Sequence, residues 1–166
     1  MNDDPVRIII TGGTFDKHYD ELKGELTFKD THLPGIIQKA RIVSPVEFEI
    51  VHLIDSLVMT EAHREMIRSA CEASPEKKIV ITHGTDRMAE TARFLGPLGI
   101  NKTIVLTGAM IPYQVIGSDA LFNLGSAFMA ARLLQPGVYV AMNGRTFPWQ
   151  DVRKDYERGV FRPAEE

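Results

Sequence analysis

The chain has 166 residues and a mass of 18.6 kDa, which suits one domain with a sizeable buried core. Apolar residues make up 44% and charged residues 25%, and a net charge of -3 offers no basic footprint for a nucleic-acid partner. Cys71 is the single cysteine, which excludes an internal disulfide and suits a reducing cytoplasm, and no apolar run approaches the roughly 18–20 residues that cross a bilayer.

The first element is "VRIIIT" (6–11), a continuous apolar run that breaks off into Thr11-Gly12-Gly13-Thr14. The acidic residues before it and the lack of a cleavage pattern argue against a secretory signal. Residues 15–45 follow without strong periodicity, and loops of that length are usually functional or mobile. "FEIVHL" (48–53) is the second strand, followed by Asp55-Ser56. In 61–73, Ala62, Met66, Ile67 and Ala70 fall at helical spacing, and "EASPEKK" (72–78) is short enough to be a loop.

"KIVITH" (78–83) is the third strand and runs into His83-Gly84-Thr85-Asp86. Met88, Ala92 and Leu95 predict a helix over 86–95, with Thr85 or Asp86 as its N-cap and Gly96-Pro97 as its stop. "TIVLTG" (103–108) is the fourth strand and leads into Thr107-Gly108-Ala109-Met110. A helix over 119–134 is capped by Ser118 and stopped by Pro136-Gly137; Ala120, Leu124, Ala127, Ala131 and Leu134 lie along its stripe. Phe122, Phe128 and Met129 fall off that stripe or at its edge. "VYVAMN" (138–143) ends in Asn143-Gly144-Arg145-Thr146.

Continuous Val- and Ile-rich runs fit strands covered on both faces, as in a parallel sheet. Alternation with helices predicts an α/β domain: a doubly wound, mostly parallel sheet flanked by helices. In such sheets ligands bind beyond the carboxyl ends of the strands, where hydroxyls and carboxylates recur in this chain.

Each of these ends also has a plain reading. Gly12-Gly13 can be an ordinary turn, and it lacks the third glycine of a dinucleotide fingerprint. Thr85-Asp86 can be a helix cap, His83 a hydrogen-bonded structural histidine, and Lys154, in "QDVRKDYERG", a solvated surface lysine. His18, His32, His52 and His63 share no metal-ligand spacing, so no metal site is expected, and no G-x-S-x-G elbow is present.

The combination carries more than its parts. "TGGT" on the first strand, "DS" with "MT" after the second, "HGTD" with "ETA" on the third, and "LTGAM" followed by "SDA" and "FNL" resemble, in order, the motifs of the L-asparaginase family. The resemblance runs from residue 6 to about residue 161. It covers the N-terminal domain of those enzymes, so the chain looks like a short form without the smaller C-terminal domain.

The resemblance implies that Thr14 attacks the side-chain amide of the substrate. Thr85 and Asp86 correspond to the Thr-Asp pair of "HGTD", and Lys154 to the lysine that works with the threonine. Ser56 would hold the substrate α-carboxylate, and Asp86 its α-ammonium. Gly13, Leu57 and Gly84 complete the binding turns, with Leu57 standing where many members carry a polar group. Tyr19 is the tyrosine of the loop that reaches the nucleophile, although it lies closer to Thr14 in sequence than the family pattern has it. The family's C-terminal domain gives a carboxylate to a neighbouring subunit's site; Asp20, Glu21 and Glu25 are the candidates to replace it.

The implied activity is hydrolysis of L-asparagine, and of L-glutamine as a second substrate, to the acid and ammonia through a threonine acyl-enzyme. It needs no cofactor. A homodimer or homotetramer in the cytoplasm, with no nucleic-acid or membrane partner, completes the expectation. A non-catalytic amino-acid sensor with the same pocket and a nucleotide-binding α/β module are the competing readings.

Overall fold

The computed structural model describes residues 3–165. In chain order its elements are β1 (Val6–Gly12), β2 (His18–Asp20), β3 (Glu25–Thr27), α1 (Leu33–Lys39), β4 (Val46–Ile54), α2 (Glu61–Ala73) and β5 (Lys78–Thr82). These are followed by α3 (Met88–Leu95), β6 (Thr103–Thr107), α4 (Ala120–Leu133), β7 (Gly137–Met142), β8 (Arg145–Pro148), β9 (Arg153–Asp155) and β10 (Val160–Arg162). The main sheet runs β4-β1-β5-β6-β7-β8. Its first five strands are parallel and β8 is antiparallel to β7, which agrees with the doubly wound, mostly parallel α/β domain expected.

That order has one reversal. The chain steps from β1 out to β4, then returns past β1 to build β5, β6 and β7. A reversal of this kind leaves a crevice beyond the strand ends, between β1 and β5.

The two-residue repeat of the strands divides the core. Ile9, Ile79, Ile81, Ile104 and Leu106 meet α2 and α3 through Ile67, Cys71, Met88, Ala92 and Leu95. Ile8, Ile10, Val80 and Val105 meet α1 and α4 through Leu33, Ile36, Leu124, Ala127 and Phe128. These side chains are buried, and a fully buried Ile or Leu contributes on the order of 1.5–3 kcal/mol over an exposed one. Phe128 therefore belongs to the core; Phe122 is the exposed aromatic of α4, at 65%.

β4 departs from the expectation of strands covered on both faces. It is the edge strand, none of its residues is fully buried, and Ile50 is 52% exposed. The N-cap expectations are also corrected. α3 starts from Arg87 and α4 from Asp119, neither with a side-chain cap bond. Thr85 and Asp86 are occupied elsewhere, and Ser118 lies one residue too early, though its Oγ still accepts from Ala120 N at 3.0 Å. The reciprocal cap is on α2: Thr60 Oγ1 accepts from His63 N, and His63 Nδ1 accepts from Thr60 N.

Residues 15–45 contain the β2–β3 hairpin and α1. The expected ligand edge at Asn143-Gly144 is a two-residue hairpin turn instead. Both residues have positive φ, 56° and 73°, which suits the turn joining β7 to β8. Among the described residues no helix is long and apolar enough to cross a membrane.

Candidate active site

Three strand ends meet through two glycines. After β1, Gly13 has φ 77° and its N–H donates to Ile54 O at the end of β4, at 2.9 Å. A methyl group on Gly13 would collide with the Gly84 backbone after β5, and one on Gly84 would collide with Ser56 after β4. Glycine at both positions is what lets the turns touch. Thr14, Ser56 and Thr85 are thereby brought to one crevice, at the reversal in strand order.

Each turn is anchored below. Thr14 opens a short 3-10 turn over Phe15, which is fully buried, while Thr14 itself is partly accessible. Ser56 is buried, and its Oγ accepts from Arg87 N at 3.3 Å. His83 sits beneath Gly84. Its Nδ1 lies 2.7 Å from Gly84 O, which can only accept, so Nδ1 carries the proton and Nε2 accepts from Thr91 Oγ1 at 2.8 Å. Burial pushes this imidazole down to about 4, so it is neutral at pH 7. The structural reading of His83 is the one the geometry supports.

Lys154 arrives from the far end of the chain. β9 pairs with β10, whose Phe161 is buried and donates its N–H to Asn143 Oδ1 at 2.8 Å. Lys154 Nζ donates to Thr85 Oγ1 at 2.8 Å and to Asp86 Oδ1 at 2.7 Å. Its side chain is 9% exposed, and its ammonium lies 4.9 Å from the centre of the Tyr156 ring. Tyr156 in turn donates its hydroxyl to Asp86 O at 3.1 Å. The plain expectation of a solvated surface lysine is overturned.

Of the remaining candidates, Leu57 is 57% exposed on the turn after Ser56, and Tyr19 is 61% exposed on β2. Asp20 is taken up by its own turn, accepting from Leu22 N and Lys23 N.

Sequence reading misses two supports. Asn123, 1% exposed on α4, donates to Gly108 O and accepts from Asn143 N, and so ties the ends of β6 and β7 together. The signal for it is an amide on the otherwise apolar "ALFNL". The other support is the Lys17–Asp55 ion pair at 2.8 Å. Its partners lie 38 residues apart, and no local pattern announces it.

The chain is similar to known proteins over most of its length. A family description for the asparaginase N-terminal domain matches residues 5–160. The chain belongs to the asparaginase family. It is 35% identical over 161 residues to an L-asparaginase of Thermococcus kodakarensis, covering 92% of this chain and 48% of that one. It is also 35% identical over 150 residues to one subunit of a glutamyl-tRNA(Gln) amidotransferase of Methanococcus vannielii, covering 84% of this chain and 34% of that one. The solved L-asparaginase I of Vibrio cholerae superposes with a TM-score of 0.82 at 26% identity, over 96% of this chain and 51% of that one. The chain thus spans about half the length of these asparaginases.

Proposed function

We propose that this asparaginase-family domain is an amidohydrolase that cleaves the side-chain amide of L-asparagine, and of L-glutamine more slowly. The observation that carries the reading is the contact of Lys154 with Thr85 and Asp86, held against the Thr14 turn by the Gly13–Gly84 approach. An alcohol is a weak nucleophile at neutral pH and must lose its proton as it attacks. In the proposed mechanism Thr14 Oγ1 attacks the amide carbon. With the substrate's α-ammonium beside Asp86, Lys154 sheds one proton to solvent; the free amine then takes up the Thr14 proton through Thr85 and returns it to the leaving nitrogen, and ammonia departs. Water then cleaves the acyl ester by the reverse relay and gives L-aspartate. The N–H groups of Thr14 and of Thr85 supply the donors for the oxyanion.

Ser56, with the turn through Leu57, receives the α-carboxylate, and Asp86 receives the α-ammonium alongside Lys154. Tyr19 sits on the hairpin that closes over the nucleophile. The domain works in the cytoplasm as a homodimer or homotetramer, a reading supported by its buried, unpaired Cys71 and by the apolar exposed face of α4.

A second reading, an amino-acid sensor without turnover, is favoured by the exposure of Tyr19 and Leu57, both turned to solvent in this structure. One experiment separates the two. Wild-type protein given L-asparagine should release ammonia, and Thr14→Ala should lose at least about a hundredfold in turnover while unfolding at the same temperature. Binding of L-asparagine without ammonia release would favour the sensor.

A further inference from the structure

A second ammonium stands at this site, and the reaction above gives it no task. Lys17 lies three residues beyond Thr14, with Nζ 2.8 Å from Asp55 Oδ2 and 5.7 Å from the centre of the Phe28 ring. Asp55 gives its other oxygen to Leu57 N at 3.0 Å, so its carboxylate opens the turn that carries Ser56. The hydrogen bond from Lys17 is the main reason that Asp55 is held below the usual carboxylate range, and the charge of Lys154 acts in the same direction.

An ionised carboxylate one residue from Ser56 is a like charge beside the place proposed for the substrate's own carboxylate. Left unpaired it would repel that group. Asp86 cannot relieve it, being negative itself, and Lys154 is shared between Thr85 and Asp86. Lys17 is the cation in direct contact with Asp55.

We propose that Lys17 is a specificity-determining residue: by pairing with Asp55 at the mouth of the pocket, it admits amides whose amino acid carries a free α-carboxylate. This rests on the amidohydrolase reading and assigns to Lys17 the charge balance around the α-carboxylate that the reading gives to Ser56. Such substrates are free amino-acid amides; substrates with a blocked α-carboxylate lose the advantage.

The test compares L-asparagine with its α-amide, which keeps the side-chain amide and the ammonium but has no carboxylate. Lys17→Met should raise KM for L-asparagine by roughly tenfold, leave KM for the α-amide within about twofold, and change kcat for either by less than about threefold. Lys17→Arg should behave as wild type to within about threefold, since it keeps the charge. The double variant Lys17→Met with Asp55→Asn keeps an oxygen for Leu57 N and removes the uncompensated charge, so KM for L-asparagine should return to within about threefold of wild type. Equal rises in both KM values, or no rescue by Asp55→Asn, would make Lys17 a structural strap between Phe28 and Asp55 and overturn the inference alone. A wild-type protein that turns over neither amide would overturn the amidohydrolase reading and this inference with it.

Discussion

At the scale of single residues, Lys154 is the group whose chemistry and packing can be separated. Its ammonium lies over the Tyr156 ring and makes the contacts with Thr85 and Asp86. Lys154→Met keeps the stem and removes the proposed proton carrier. The expected result is a fall in kcat of about a hundredfold or more with KM changed by less than about fivefold, read from steady-state kinetics on L-asparagine. If KM rises and kcat holds, Lys154 binds substrate and does not move protons.

At the scale of elements, the junction between β5 and α3 carries a pH dependence. His83 is fully buried and stays neutral, donating to Gly84 O while Thr91 donates to it. In the unfolded chain it titrates at the ordinary histidine value of 6.5, and in the folded protein at about 4. Between those values the unfolded state binds more protons, so stability is fully present above 6.5 and is lost as pH falls toward 4. The slope for this one group is about 1.4 kcal/mol per pH unit. His32 and His52 are displaced in the same downward direction, chiefly by burial, and add to it. Urea unfolding at pH 7.5, 6 and 5 should show a flat upper limb and then a decline; His83→Asn should be less stable at pH 7.5 and shallower below 6.5. A wild-type curve that is flat down to pH 5 would mean that His83 charges without leaving its place.

The elements that could be read from the sequence are those whose burial is continuous. Ile8, Ile9 and Ile10, or Ile79, Val80 and Ile81, announce strands because neighbouring helices cover both of their faces. The β2–β3 hairpin, with three residues to a strand, is too short to display a period. α1 has seven residues with a proline in its first turn, and β9 reads as a charged surface, "RKD". The site divides the same way. Thr14, Ser56, Thr85 and Asp86 stand in motifs beside strand ends, where a family resemblance can find them. Lys17 and Asn123 act through contacts made across the fold, with partners up to 38 residues away, and only three dimensions bring those partners together.

For the whole molecule the unexplained feature is α4. Its inner side carries Leu124, Ala127 and Phe128 into the core, yet Leu121, Phe122, Met129 and Leu133 remain 41–65% exposed on the other side. The helix borders an apolar groove lined also by Ile37, Ile42 and Val43. Contiguous apolar surface of this kind marks a contact with another molecule more often than it is left to water. A homodimer or homotetramer burying α4 is the expected state. Light scattering of dilute wild-type protein should then show no dominant 18.6 kDa species, whereas Phe122→Glu should produce one without loss of folding. A fully active monomer would reject this assembly and leave the β2–β3 hairpin to close the site by itself.

The contact of Gly13 with Gly84 also governs when the crevice can form as the protein folds. Those glycines are separated by the hairpin, α1, β4, α2 and β5, and Lys154 must cross 69 residues to reach Thr85. Parallel pairings need their crossovers built first, so such distant partners meet late and their loop entropy is spent before any reward arrives. A half-folded chain can therefore hold α2, α3 and much of its helical signal with no working crevice. During refolding, helical circular dichroism should lead and the proposed amidohydrolase activity should lag behind it, because Thr14, Ser56, Thr85 and Lys154 come together at the last step of sheet closure.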